Sequence, residues 1–214
     1  MDAENTVGRS VDPIGTLYAA FRVPVPRAIE GCPCCLDSRH IDRLLATPLR
    51  AIDGMTIWRY VSGAFLTVGG VTDFRYLLPR ILDIALNDPT KSNSVEIVLG
   101  KLRLAGWGTW PALERASIIA VIDAMFDAAV ASGTADPDDP WLVSAEAEAV
   151  LCGAARADLD PRHWLKKLLD PAAAPVLHDL RENFGPAPSP FWDDALDGHA
   201  IVVRWLAEQA SPSG

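Results

Sequence analysis

The stretch 72-TDFRYLLPRILDIALN-87 decides the architecture of this 214-residue chain. Phe74, Leu77, Leu78, Ile81, Leu82 and Ala85 recur at intervals of three and four, the spacing that gathers side chains on one face of an α-helix. Thr72 is expected to cap this helix. Pro79 lies inside the pattern, removes one backbone hydrogen bond and should bend the helix there.

Helix signals continue in both directions from this segment. Upstream, Asp37 or Ser38 opens a helix carrying Ile41, Leu44 and Leu45, which Pro48 closes; a second runs from Met55 to about Thr67, ahead of Gly69-Gly70. Downstream, Asn93 followed by Glu96 reads as a capping box for a helix through Leu104, ended by Gly106. Thr109 is expected to cap the longest helix, with Pro111 in its first turn. Its apolar positions are Leu113, Ile118, Ile122, Met125, Phe126 and Val130, and Gly133 stops it. Asp139-Pro140, Asp160-Pro161 and Asp170-Pro171 each set a side-chain acceptor ahead of a proline whose fixed φ suits the first helical residue, marking three more helix starts. A last helix should run from Pro190 or Phe191 to about Gln209, with Trp192, Leu196, Ile201, Val202, Trp205 and Leu206 inward.

Strand signals are missing: no alternating run appears, and the Asp53-Gly54 pair lies between helical segments rather than β-branched ones. The chain therefore reads as all-α, a single domain of nine or ten antiparallel-packed helices over residues 13–210, arranged as a bundle or a short irregular helical array. Residues 1–12 and 211–214 read as frayed ends, and 186-PAPSP-190 as a rigid connector.

Half of the residues are hydrophobic, enough for a continuous core. The longest apolar run, 117-SIIAVIDAMFDAAVA-131, is interrupted by aspartates and falls short of the roughly 20 uninterrupted apolar residues of a membrane span. The start, MDAENTVGRS, carries neither a basic nor an apolar stretch, so a cytoplasmic protein is expected. In that compartment thiols stay reduced, which favours free or metal-bound cysteines over disulfides. Net charge is −9, divided as +1 over residues 1–110 and −10 over residues 111–214. That acidity disfavours nucleic acid and would steer a basic protein partner. Acidic surface also serves solubility alone.

Chemistry concentrates in 30-EGCPCCLDSRH-40. Cys32 and Cys35 form a C-P-x-C spacing of the kind that activates a thiol at a helix amino terminus. A helix follows, but Pro24 and Pro26 make the preceding segment a poor strand. Cys32, Cys34, Cys35 and His40 offer four ligands suited to zinc or copper, although so compact a cluster wraps a tetrahedron awkwardly. Small thiols buried against a helix start are the third reading. Phosphate-loop, H-E-x-x-H and G-x-S-x-G signatures are missing. His163, His178 and His199 have no assignable partner. Asp73, Arg75 and Arg80 surround the proline-bearing helix and are explained by capping and surface pairing. Trp107 and Trp110, in AGWGTWPALE, plug the core or anchor a partner.

The run 21-FRVPVPRAIEGCPCC-35, followed by 60-YVSGAFLTVGGVTDFRYLLPRILDIAL-86, is similar to a recurrent group of bacterial all-helical proteins marked by a G-C-P-C-C segment and a D-F-R-Y-x-L-P-R-like helix. The resemblance covers residues 17 to about 90 and, less well, the WGTWPALERA region. It implies a bacterial origin and a whole-chain family fold, and it brings no activity or catalytic residue. A looser likeness is to toxin-immunity proteins, which are small, acidic and free of catalytic motifs. The sequence is thus read as a non-enzymatic protein-binding module, an immunity-type inhibitor of a basic toxin, with no cofactor and no nucleic-acid or membrane partner. Asp136, Asp138, Asp139, Glu146, Glu148, Asp193, Asp194 and Asp197 form the expected rim, with a buried aromatic as anchor. The alternative is a metal- or thiol-dependent protein built on Cys32, Cys34, Cys35 and His40.

Overall fold

A computed structural model describes residues 12–35, 37–135 and 143–210. Among them run ten α-helices and no β-strand: α1 (Pro13–Ala20), α2 (Ser38–Ala46), α3 (Gly54–Gly63), α4 (Val71–Asn87), α5 (Val95–Leu104), α6 (Ala112–Ala135), α7 (Ala145–Arg156), α8 (Arg162–Leu165), α9 (Ala174–Asn183) and α10 (Leu196–Ala210). The all-α, single-domain reading holds.

Helix α4 follows the expected periodicity, with Phe74, Leu77, Leu78, Ile81, Leu82 and Ala85 all buried and Pro79 carried in its interior. Its cap differs from expectation. Gly70, not Thr72, precedes the first turn, and the Asp73 carboxylate reaches back to accept from the Gly70 N–H at 3.0 Å. Aspartate at the third helical position does this well because it also meets the positive end of the helix dipole. Upstream, Asp37 caps as expected, accepting from the His40 N–H at 2.9 Å; Asp53, not expected as a cap, accepts from the Thr56 N–H at 2.9 Å and starts its helix at Gly54 rather than Met55. The helix expected to reach Thr67 stops at Gly63, because Gly63 O accepts from the N–H groups of Leu66, Thr67 and Val68 and folds the chain into a tight turn.

Three other boundaries shift. Asn93 does not cap α5; it is buried and donates to Ser62 Oγ at 2.9 Å, leaving Ser94 at the helix start without a side-chain cap bond. Thr109 belongs to a 3-10 turn, Trp107–Thr109, and its hydroxyl donates to Gly106 O. The last helix is broken into a 3-10 turn at Pro190–Trp192 and α10, so Leu196 sits in the first turn of α10, 54% exposed, rather than inward. Leu113 is likewise exposed. Asp160 and Asp170 cap as expected, accepting from the N–H groups of Arg162 and Ala172. Asp139-Pro140 lies outside the described residues.

Helix α6 is the hub, with α1, α4, α7 and α9 packed around it, while α5 lies along α7, and α10 covers α7, α8 and α9. By length and composition α6 could cross a membrane. Here Ile118, Val121, Ile122, Met125, Phe126 and Ala129 face the core, and Asp123 and Asp127 reach His163 and Lys167 at 2.8 and 2.7 Å. Trp107 and Trp110 are core plugs: the Trp107 indole donates to Ala157 O at 3.0 Å, and Trp110 meets Phe21 edge to face.

One ion pair joins α4 to α6. Arg75 forks onto Glu114, with Nε 2.8 Å from Oε2, and Glu114 is only 5% exposed. Glu114→Ala leaves the partly solvated guanidinium without its acceptor, and the expected cost is about 1–2 kcal/mol in urea unfolding, with an unchanged m-value. An unaltered midpoint would show that the pair contributes nothing.

Candidate functional site

The cysteine segment forms a β-turn. Pro33 stands at its second position, where a fixed φ near −65° is favoured, and the Cys35 N–H donates to Cys32 O at 3.0 Å to close it. Around this short turn the three Sγ atoms converge, all within 4.8 Å of one another. Cys32 and Cys34 approach to 2.7 Å and Cys34 and Cys35 to 3.8 Å. Cys34 and Cys35 are exposed and Cys32 is half-buried, so the expectation of thiols packed against a helix start is corrected. Sulfur that only filled space would lie inside.

The turn is fastened to the α3–α4 connection by backbone. The Cys32 N–H donates to Thr67 O at 2.8 Å and the Gly69 N–H donates to Glu30 O at 2.6 Å, around an isolated bridge between Gly31 and Val68. Glycine suits position 31 because a Cβ there would lie a tight 3.0 Å from both Thr67 O and Val68 Cα. Position 69 has φ +65°, and a Cβ would run into the Asp73 carboxylate.

Buried polar groups then hold the connection itself. Tyr60 OH donates to Asp73 Oδ2, the same carboxylate that caps α4. Burial, reinforced by Asp73, raises the Tyr60 phenol well above its ordinary range and keeps it a proton donor. Lys101 is buried and its Nζ donates to Ala64 O at 2.7 Å; burial, with Arg156 nearby, lowers its pKa. Neither Tyr60 nor Lys101 was singled out from the sequence, and nothing in the spacing marks them: each is a polar residue whose partner lies in a turn the helix pattern does not foretell.

His40 does not join the sulfurs. It faces the other way, 1% exposed, with Nε2 2.9 Å from Thr56 O and Nδ1 3.1 Å from Arg43 Nη2. The carbonyl requires Nε2–H, and the guanidinium requires an unprotonated Nδ1, so both nitrogens are occupied by the α2–α3 contact. The four-ligand set reduces to three thiols. The C-P-x-C redox setting is also incomplete, since among the described residues the extended pairing before the turn is limited to the single bridge at Gly31.

The thiols differ electrostatically. Hydrogen bonding from Cys34, through its side chain and then its backbone, lowers the Cys32 pKa. The same sharing, with Cys35 adding to it, pushes Cys34 up to about 11. Of the pair, Cys32 is biased toward the thiolate and Cys34 toward the thiol. The fourth cysteine, Cys152, is buried under α10, donates to Phe191 O at 3.3 Å, and is raised to about 12 by burial.

The expected acidic rim is dispersed. Asp193, Asp194 and Asp197 are exposed around one hollow of about 710 Å³, which Asp158 and Asp160 also line. Arg103 and Arg156 reach Asp194, through its carbonyl and its carboxylate respectively. Glu146 is exposed on the first turn of α7, at the edge of a different groove, and Glu148 is half-buried, 3.3 Å from the Trp192 indole N–H. Asp136, Asp138 and Asp139 lie outside the described residues. His163 pairs with Asp123 on the surface, and His199 is buried against Phe184 and Trp192.

No protein-family model, curated protein or solved structure matches the chain.

Asymmetric sharing of the proton predicts asymmetric reactivity, because the thiolate is the nucleophile. With iodoacetamide titrated from pH 6 to pH 10 and the adducts mapped by mass spectrometry, Cys32 should alkylate first, at a pH below that of an ordinary thiol. Cys34 should lag until the pH approaches 11. Equal rates at Cys32 and Cys34 throughout would contradict the assignment.

Proposed function

We propose that the chain binds a soft, thiophilic metal ion, zinc or copper, through Cys32, Cys34 and Cys35. The observation that carries this reading is the convergence of three sulfurs within 4.8 Å on an exposed, backbone-fastened turn. Thiolates held at about 2.3 Å from a tetrahedral ion lie about 3.8 Å apart, the spacing of Cys34 and Cys35. Cys32 and Cys34 have to open from 2.7 Å by about 1 Å, a change that rotation about χ1 supplies at an exposed site. Binding requires all three sulfurs to be deprotonated, so it releases protons and weakens as pH falls. Protein purified with reductant and without chelator should hold, or take up, one equivalent of zinc or copper. A Cys32→Ser/Cys34→Ser/Cys35→Ser variant should hold none. His40→Ala, a control, should lose about 1–3 kcal/mol of stability while keeping the metal. Protein that retains and takes up neither ion would defeat the proposal, and metal lost on folded His40→Ala would return His40 to the ligand set.

A second reading, a non-enzymatic inhibitor of a basic protein, is supported by the aspartate hollow lined by the exposed Leu196, with the exposed Phe191 two residues before Asp193 in the chain. Charge would steer docking and the apolar pair would be covered on contact. Products of neighbouring genes, co-expressed and pulled down, should include a basic partner. Its association should fall with added salt and with Asp193→Asn/Asp194→Asn/Asp197→Asn. Association indifferent to both would remove this reading.

A further inference from the structure

Resting on the metal-binding proposal, we infer that the turn is a three-coordinate site for monovalent copper as cargo, in which Cys32 and Cys35 hold the ion and Cys34 is the ligand that exchanges with an external thiol.

The number of donors favours copper. Structural zinc completes a tetrahedron with four protein ligands. Here three sulfurs stand together, and no fourth histidine, cysteine or carboxylate joins the group among the described residues. His40, the candidate nearest in sequence, is enclosed with both ring nitrogens engaged. Zinc would have to keep a solvent ligand at this turn. Cu(I) is soft, prefers thiolate, and is satisfied by two or three of them, so the same turn completes its coordination. The exposure of Cys34 and Cys35 leaves one side of such an ion open to an incoming sulfur.

The backbone distinguishes the three ligands. Cys32 is fastened through its N–H to Thr67 O, and Cys35 through its N–H to Cys32 O. Among the described residues the Cys34 N–H makes no such bond. Cys34 is thus the apex of the turn, exposed and least restrained. In the exchange, a thiolate of the acceptor forms a sulfur–copper bond as the bond to Cys34 Sγ breaks. The Cys34 thiolate then takes the proton that the acceptor thiol gave up to solvent. Copper stays monovalent, and no electron is transferred. The acceptor is defined by chemistry as a thiol, of a small molecule or of a protein.

The test uses the full chain under anaerobic conditions, with Cu(I) supplied against a chromophoric Cu(I) chelator and glutathione as the acceptor probe. One Cu(I) per chain is expected, with three sulfur neighbours by X-ray absorption, and added Cu(I) should displace bound zinc. Cys34→Ser should retain two-coordinate copper with affinity lowered about tenfold, whereas Cys32→Ser and Cys35→Ser should each lose about a hundredfold. Transfer to glutathione should slow in Cys34→Ser relative to its affinity. Near-equal losses at the three positions would overturn the assignment of Cys34. Zinc held four-coordinate and not displaced by Cu(I) would overturn copper selectivity while leaving metal binding intact. Failure to take up either ion would defeat the underlying metal-binding proposal.

Discussion

The structure of the candidate site depends on a backbone clasp: Cys32 N–H to Thr67 O and Gly69 N–H to Glu30 O, with Gly31 pressed between. Backbone bonds set distances that side-chain contacts in solvent cannot, because an exposed side chain loses rotamer entropy for every geometry it holds. A C-P-C-C segment released from this clasp would be a flexible loop, and its sulfurs would meet only by chance. Attached, the turn begins at a fixed point and only its apex is free. The clasp is itself held from the core by Lys101 on Ala64 O and by Tyr60 on Asp73. Those bonds connect a surface thiol cluster to the packing of α3, α4 and α5.

The backbone of the α3–α4 connection demands glycine at position 69, where φ is positive and a Cβ would meet the Asp73 carboxylate. Beside it, the Gly63 carbonyl collects three amide donors and the Gly70 N–H donates to Asp73. Each requirement is local, and together they turn the chain so that Thr67 O points at the cysteine turn. Phe65, at φ +64°, is the one non-glycine residue in this connection in the left-handed region. It packs edge to face on Phe74 at a centroid separation of 5.0 Å, an aromatic contact that offsets part of the backbone strain.

Much of the fold was legible because apolar periodicity and caps are local signals. Phe74 through Ala85, Asp37, Asp160 and Asp170 could be placed from the sequence, since their partners lie within one or two helical turns. The misplaced boundaries share a different physics. Asn93 is withdrawn from capping by a distant Ser62 hydroxyl, and Leu196 and Leu113 sit in first turns of helices where no neighbour covers them. The site divides in the same way. Proximity of Cys32, Cys34 and Cys35 follows from their spacing, but their exposure and the loss of His40 follow from tertiary pairs, Thr67 with Cys32 and Thr56 with His40, that no spacing encodes. The acidic rim was inferred from charge totals, which carry no information about which face each carboxylate occupies.

Amide hydrogen exchange on the metal-free, reduced protein reads the clasp directly. Cys32 and Gly69 N–H should be protected to nearly the level of the α3 interior, while the Cys34 N–H exchanges at the rate of an open chain. Exchange of Cys32 and Gly69 as fast as Cys34 would mean that the turn is not fastened, and that the three sulfurs are not held together before an ion arrives.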